Sequence, residues 1–189
     1  LIDMARGATE EVLLVAPYIK EGTLKRIFSP ISGECSVRVV TCWNLRAVAA
    51  GASDLGVWEL VRDRENHVLE LCPSLHAKYY RFDDICVVGS ANLTGAALGL
   101  TGKPNLELLM RVSPAATEEF EEELEDCVAV TESMYSRYKK LLDQYEDTHP
   151  KIVRSSGTYS VGPESVRPGK ERGEVRGSGE RSQDIRSRS

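Results

Sequence analysis

Residues 75–92 have the sequence Leu-His-Ala-Lys-Tyr-Tyr-Arg-Phe-Asp-Asp-Ile-Cys-Val-Val-Gly-Ser-Ala-Asn, which predicts the β-hairpin that decides the fold. Asp83 and Asp84 are typical turn residues between two strands. Alternation along the first strand would place the side chains of His76 and Lys78 on the same face of the sheet. The short apolar run at 85–88 predicts a second strand that is covered on both faces.

Polar groups follow the second predicted strand, at Gly89-Ser90-Ala91-Asn92. Glycine lets the backbone come close to a ligand, and Ser90 and Asn92 supply a hydroxyl and an amide. Together with the imidazole of His76 and the ammonium of Lys78, these groups are suited to an oxyanion such as phosphate. The hairpin therefore predicts a phosphate-handling site with a nucleophile or base beside it.

The pattern His76-x-Lys78, Asp83, Gly89-Ser90-x-Asn92 resembles the signature of the phospholipase D superfamily. One departure is that only five residues separate Asp83 from Gly89, one fewer than usual, a shortening that a hairpin turn tolerates. The resemblance implies an α/β/α fold over about the first 145 residues. It also implies phosphodiester chemistry that proceeds through a phosphohistidine and uses no metal ion or other cofactor.

Strand and helix patterns elsewhere in the chain predict the same α/β class, a mixed β-sheet sandwiched by helices. Strands are expected at 11–18, 36–42, 67–71 and 105–112, and helices at 2–8, 21–28, 46–50, after a cap at Ser53 or Asp54, and at 117–145 with a break near 128–131. We expect one catalytic domain over residues 1–148. Residues 149–189 are rich in Ser, Arg, Gly and Glu and are predicted to form a disordered tail.

Composition favours a cytoplasmic protein. The five cysteines are an odd number without a Cys-x-x-Cys pair, which predicts reduced, mostly buried thiols rather than a zinc site or a disulfide framework. No signal-peptide pattern opens the sequence, and no apolar run approaches the ~20 residues of a membrane span, so no membrane partner is expected.

Charge gives mild evidence against a nonspecific DNA binder. Residues 151–189 contain nine Lys and Arg against five Asp and Glu, so the other 150 residues carry a net charge of −9. Seven of the acids lie between Glu118 and Asp126, where they are expected to form one remote helix face.

A histidine at position 76 could attack phosphorus directly, and a second histidine would be best suited to protonate the leaving oxygen. The other histidines, His67 and His149, lack the surrounding motif, and we interpret His67 as structural. The single motif therefore predicts a homodimer that brings one His76 from each subunit to the two-fold axis. The single-motif bacterial endonucleases that this chain resembles are built in this way.

The remaining site residues have separate predicted roles. Lys78, Ser90 and Asn92 would bind the phosphoryl oxygens and stabilise their developing charge. The superfamily places a glutamate in an Asn-x-Glu context to hold the histidine, so Asn105-x-Glu107 predicts that Glu107 orients His76. Trp43 could stack on a base, and core packing or a rim position is an alternative of at least equal weight.

Residues outside the catalytic set have structural predictions. Asp83 is expected to stabilise the hairpin rather than to act in chemistry. Arg46 and Arg81 could meet phosphates, although a solvated surface position is the default interpretation for both.

The substrate is less determined than the chemistry, because members of the superfamily act on phospholipids as well as nucleic acids. Residues 41–54 also resemble small phospholipase D-like proteins of bacterial restriction and defence systems. We therefore predict a nuclease acting on nucleic acid, most simply DNA. The alternatives are a phospholipase or phosphatidyl transferase and a catalytically degenerate nucleic-acid-binding module.

Overall fold

Seven strands form one mixed sheet in the computed structural model, which describes residues 1–149. The strands are β1 Glu11–Val15, β2 Ser36–Thr41, β3 His67–Leu71, β4 Tyr79–Phe82, β5 Ile85–Gly89, β6 Leu109–Val112 and β7 Val128–Ala129, in the order β6-β5-β4-β1-β2-β3-β7. The three strands β1, β2 and β3 run parallel, and all other pairs are antiparallel. The predicted mixed sheet is confirmed, whereas the predicted tail lies outside the described residues except for His149.

Helices cover both faces of the sheet, as predicted. They are α1 Ile2–Gly7, α2 Glu21–Phe28, α3 Leu45–Ala49, α4 Val57–Val61, α5 Glu118–Glu123 and α6 Glu132–Thr148. Alternation along β1 sends Val12 and Leu14 into the larger core, against residues of α1, α2, α3, α4 and α6. Leu13 and Val15 enter a smaller core on the opposite face, which Phe120 of α5 helps to cover. Within the described residues, no helix is long and apolar enough to cross a membrane.

Several element boundaries differ from the sequence-based prediction, and three of these differences concern the candidate site or the pairing of the sheet. Strand β4 begins only at Tyr79, so His76 and Lys78 lie in the extended segment before it and not in the strand itself. Strand β6 begins at Leu109, which leaves Asn105 and Glu107 in the preceding loop. The predicted break in the C-terminal helix is a strand, β7, which pairs with β3. In each case the boundary of the element lies where pairing with a neighbouring strand begins or ends. A local sequence pattern does not contain this information.

The predicted helix cap at Ser53 or Asp54 is wrong, because both side chains bind another part of the chain. The Ser53 hydroxyl accepts from the Ile19 N–H and donates to the Ile19 carbonyl. The Asp54 carboxylate pairs with Lys20 and accepts a hydrogen bond of 2.9 Å from the Glu21 N–H. Gly56 stands at the cap position of α4 instead. The segment 53–54 therefore joins the start of α2 to the loop before α4.

Asp83 fixes the turn of the β4–β5 hairpin to the start of β1. Its carboxylate accepts hydrogen bonds of 2.9–3.0 Å from the backbone N–H groups of Thr9, Glu10 and Glu11. Its φ of 49° lies in the left-handed region, which aspartate adopts more readily than most residues. Desolvation alone would raise the pKa of Asp83, but the backbone hydrogen bonds outweigh it and hold the pKa below the ordinary 3.8. The contacts agree with the predicted structural role.

We expect Asp83→Asn to lower the free energy of unfolding at pH 7 by about 1–2 kcal/mol, because it removes the charge from three hydrogen bonds. The lowered pKa means that this contribution is present above pH 3.8 and is lost as the pH falls through the lowered value. Urea denaturation at pH 7 and pH 3 measures both effects.

Asp84→Asn is the matched control, since Asp84 is the exposed neighbour in the same turn. An equal loss of stability in both variants, or a loss for Asp83→Asn that is the same at pH 3 and pH 7, would contradict this role.

Candidate active site

Three polar segments meet at one end of the strands: residues 76–78 before β4, 89–92 after β5 and 105–108 before β6. The Gly89 N–H donates to the Lys78 carbonyl at 3.2 Å, and the Ser90 N–H donates to the Leu108 carbonyl at 3.0 Å. Because β4 runs antiparallel to β1, the carboxyl ends of the parallel strands lie at this same end of the sheet. Crevices at such ends are common binding sites in open α/β sheets.

Gly89 is required by the protein backbone itself. A Cβ at this position would lie 1.9 Å from the Leu108 carbonyl oxygen and 3.0 Å from the Leu109 Cα. The sequence predicted that this glycine admits a ligand, but the close neighbour is the chain entering β6. The absence of a side chain at residue 89 thus brings the Ser90 and Glu107 segments together.

Ser90 and Glu107 are directly hydrogen-bonded. The Ser90 hydroxyl donates to Glu107 Oε2 and accepts from the Leu108 N–H at 3.0 Å. Asn105 Nδ2 donates to Glu107 Oε1 at 3.1 Å. The hydrogen bond from Ser90, followed by that from Asn105 and by the nearby charge of Lys78, lowers the pKa of Glu107. Glu107 therefore stays a carboxylate at neutral pH, with both oxygens engaged.

His76 and Lys78 lie at the same end of the sheet, directly before β4. The Lys78 ammonium donates to the His76 carbonyl at 2.7 Å, which holds the segment before β4 in place. His76 is exposed, and its imidazole makes no hydrogen bond with any other of residues 1–149. The predicted hydrogen bond between Glu107 and His76 is thus not formed in the single chain. Each carboxylate oxygen of Glu107 retains capacity for a second donor.

Asn92 and its supporting residue Tyr80 are the remaining residues of the candidate site. The Asn92 Oδ1 atom is buried and has no hydrogen-bond partner among the described residues, so it can still accept a donor. The buried Tyr80 hydroxyl donates to the Ala91 carbonyl at 2.5 Å and so fixes the segment that carries Asn92. Burial, and then the negative charge of Glu107, raises the pKa of Tyr80. Sequence reasoning missed Tyr80, since one tyrosine in a strand gives no specific signal.

Trp43 does not belong to this cluster. Its ring is only 6% exposed, and it packs against Tyr138 and Tyr135 of α6 with ring centroids 5.1 and 6.3 Å away. The expectation that Trp43 stacks on substrate is therefore corrected to the core-packing alternative. The aromatic rings of α6 cover it, and that helix lies far along the sequence from residue 43.

Arg81 and His67, for which the sequence predicted roles outside the catalytic set, both lie in structural contacts. Arg81 is not solvated surface, because its side chain is 19% exposed and pairs with Glu11 and Glu121 at 3.0 Å each. His67 has the expected structural role, since its ring packs edge-on against Phe28. Among residues 1–149, no group of three or more His, Cys, Asp and Glu side chains could hold a metal ion.

The fold and the site together define an α/β domain in which a His-x-Lys and a Gly-Ser-x-Asn segment lie together at one end of the strands. A family model described as "Cardiolipin synthase, PLD-like domain" matches residues 1–128. The chain therefore belongs to the phospholipase D-like family, as its motif predicts. A comparison with curated protein sequences finds no match.

Two solved structures are similar in fold. NucT from Helicobacter pylori is 18% identical with a TM-score of 0.52, over 68% of this chain and 87% of that one. Phosphatidylserine synthase from Haemophilus influenzae is 14% identical with a TM-score of 0.55, over 79% of this chain and 41% of that one. At these identities the likeness shows a shared fold alone.

We expect Gly89→Ala to destabilise the domain by about 1–3 kcal/mol, because the new methyl group would overlap the Leu108 carbonyl. The displaced β6 segment should also break the Ser90–Glu107 contact. Thermal unfolding measures the loss, and Gly33→Ala is the control, because a Cβ at residue 33 meets nothing within 4 Å. Equal melting temperatures for the two variants would show that the close approach at residue 89 is not constraining.

Proposed function

We propose that this protein is a metal-independent phosphodiesterase that cleaves nucleic-acid phosphodiester bonds. The observation that carries the proposal is that the exposed His76, Lys78 and the Ser90–Glu107 pair lie together at one end of β4, β5 and β6. Family membership supports phosphodiester chemistry in general, and the arrangement of donors supports its use on an anionic substrate.

In the proposed mechanism, an imidazole nitrogen of His76 attacks phosphorus and forms a phosphohistidine while the P–O bond to the leaving group breaks. A second imidazole, in its protonated form, gives its proton to the leaving oxygen. Lys78 and the backbone N–H groups near Gly89 stabilise the charge on the phosphoryl oxygens. Water, deprotonated by the second imidazole, then hydrolyses the phosphohistidine and restores His76.

The second imidazole would come from another copy of the chain. One site in one chain contains a single histidine, whereas the mechanism uses two. Exposed apolar residues border the site along the edge strand β6 and the segment before it; this β6 edge patch consists of Leu106, Leu108, Leu109 and Met110. Apolar surface of this kind is typical of protein–protein contacts. A dimer formed through the patch would bring two copies of His76 to one region.

Nucleic acid is the proposed substrate because a repeating phosphodiester suits an exposed, polar site at the ends of β4, β5 and β6. The second candidate is phosphatidyl transfer, which the cardiolipin synthase description of the matching family favours. The acidic body argues for a local rather than an extended contact with DNA. Both candidates share the same nucleophile, so one set of variants serves both.

We expect the purified protein to cleave DNA in the presence of EDTA, and His76→Ala to abolish turnover. Lys78→Ala should reduce kcat/KM by about 10²–10³-fold, as loss of a donor to the transition state does. Single- and double-stranded DNA, RNA and phosphatidylglycerol vesicles, assayed side by side in EDTA, measure activity and substrate class together.

His149→Ala provides the control, since His149 is an exposed histidine outside the motif and should leave the rate unchanged. A strict requirement for Mg²⁺, or equal rates for His76→Ala and wild type, would contradict the mechanism. Turnover of the vesicles alone would favour phosphatidyl transfer instead.

We also expect Met110→Lys to dissociate the proposed dimer and to reduce activity in parallel, because it places a charge in the β6 edge patch. Val128→Lys is the matched control: Val128 is also 55% exposed, but it lies in β7 at the opposite edge. Sedimentation velocity gives the oligomeric state. A monomeric wild-type protein with full activity would overturn the shared site without affecting the proposed role of His76.

A further inference from the structure

Cys72 and Cys127 face each other across the antiparallel pair β3–β7. The register pairs Glu70 with Ala129 and Leu71 with Val128, so the next step pairs Cys72 with Cys127. Both side chains pack against the smaller core, which places them on the same face of the sheet. The two thiols thus lie just beyond the paired residues, Cys72 directly after β3 and Cys127 directly before β7, one step past the last register pair.

The hydrogen-bond pattern identifies the type of this pair. The Val130 N–H donates to the Leu69 carbonyl at 2.8 Å, so Leu69 and Val130 form a hydrogen-bonded pair. Hydrogen-bonded and non-hydrogen-bonded pairs alternate along an antiparallel ladder. Cys72 and Cys127, three steps further, therefore form a non-hydrogen-bonded pair. The Cα atoms of such pairs are about 4.5 Å apart, within the range that a disulfide spans.

Electrostatics supports the contact between the two sulfur atoms. Burial, followed by the hydrogen bond to Cys72 and by its charge, raises the pKa of Cys127 to about 12. The Cys72 thiol also lies 3.7 Å from the Ser74 hydroxyl. Cys127 thus keeps its proton at neutral pH, which makes it the less suited of the two to attack a peroxide first.

We propose that Cys72 and Cys127 are a redox site, at which a peroxide converts the two thiols into a cross-strand disulfide. The Cys72 thiolate attacks the O–O bond, becomes a sulfenic acid and releases one water after protonation. Cys127 then loses its proton and attacks the Cys72 sulfur, which forms the S–S bond and releases the second water. Two thiols and one hydrogen peroxide give one disulfide and two waters.

The other cysteines are less suited to this reaction. Cys42 follows β2 beside Cys72, but its thiol donates to the Pro73 carbonyl at 3.5 Å. Cys86 is buried in β5 and accepts from the Tyr79 hydroxyl, and Cys35 is buried before β2. All five cysteines are free in the structure, so the disulfide is a second state of the protein and the predicted reduced thiols are the first.

The disulfide would stabilise the weakest edge of the sheet. Strand β7 has two residues, and the chain between Cys72 and Cys127 includes the candidate active site and strands β4, β5 and β6. A covalent bond that closes this long segment reduces the freedom of the unfolded chain. We expect the melting temperature to rise by about 5–10 °C on oxidation and to return after reduction.

The test treats the full chain with a small excess of hydrogen peroxide, blocks remaining thiols with iodoacetamide and maps the unreduced peptides by mass spectrometry. The expected product is one cross-linked peptide pair that contains Cys72 and Cys127, with a mass two hydrogens lower than the sum of the peptides. Thermal unfolding before and after dithiothreitol measures the accompanying change in stability.

Single variants make the result specific. Cys72→Ser and Cys127→Ser should each abolish the cross-link and the temperature shift, whereas Cys42→Ser should keep both. The proposal is overturned if Cys72 is joined to Cys42, or if both thiols carry the iodoacetamide label while exposed Met110 is oxidised in the same sample. The wild-type peptide map decides between these outcomes even if a variant folds poorly.

Discussion

The approach of the Leu108 carbonyl to the bare backbone of Gly89 is the contact on which the candidate site depends. It draws the segment before β6 against the end of β5, and thereby brings the Glu107 carboxylate to the Ser90 hydroxyl. The Lys78 carbonyl holds the opposite side of the same glycine through a backbone hydrogen bond. Three segments distant in sequence thus share one small region because one residue has no side chain.

The two ends of the β4–β5 hairpin have different physical roles. At the turn, Asp83 satisfies three backbone donors and joins the hairpin to β1. At the open end, His76 is exposed and Asn92 retains an unpaired buried oxygen. Stabilising contacts at one end allow incomplete contacts at the other, where the Asn92 oxygen still lacks a hydrogen-bond donor.

The two edges of the sheet also differ. Strand β6 carries exposed apolar residues next to the candidate site, which supports an interface with a second copy at that edge. Strand β7 is short, and an ion pair between Arg38 and Glu70 and a hydrogen bond from Arg38 to the Leu124 carbonyl support its surroundings. The unpaired backbone groups of an edge strand need such protection. In this protein one edge has an apolar patch and the other has a pair of facing thiols.

The sequence by itself determined the class of fold, the hairpin and its turn, and the family, because alternation, turn residues and a spaced motif are local properties of the chain. It also predicted a structural role for Asp83. It could not determine where β4 and β6 begin, that Ser53 and Asp54 bind the start of α2, or that Trp43 is covered by α6. These features depend on register and on contacts between distant residues. The same reason explains the site: the sequence named Ser90 and Glu107 separately, and only the paired strands placed them in one hydrogen bond.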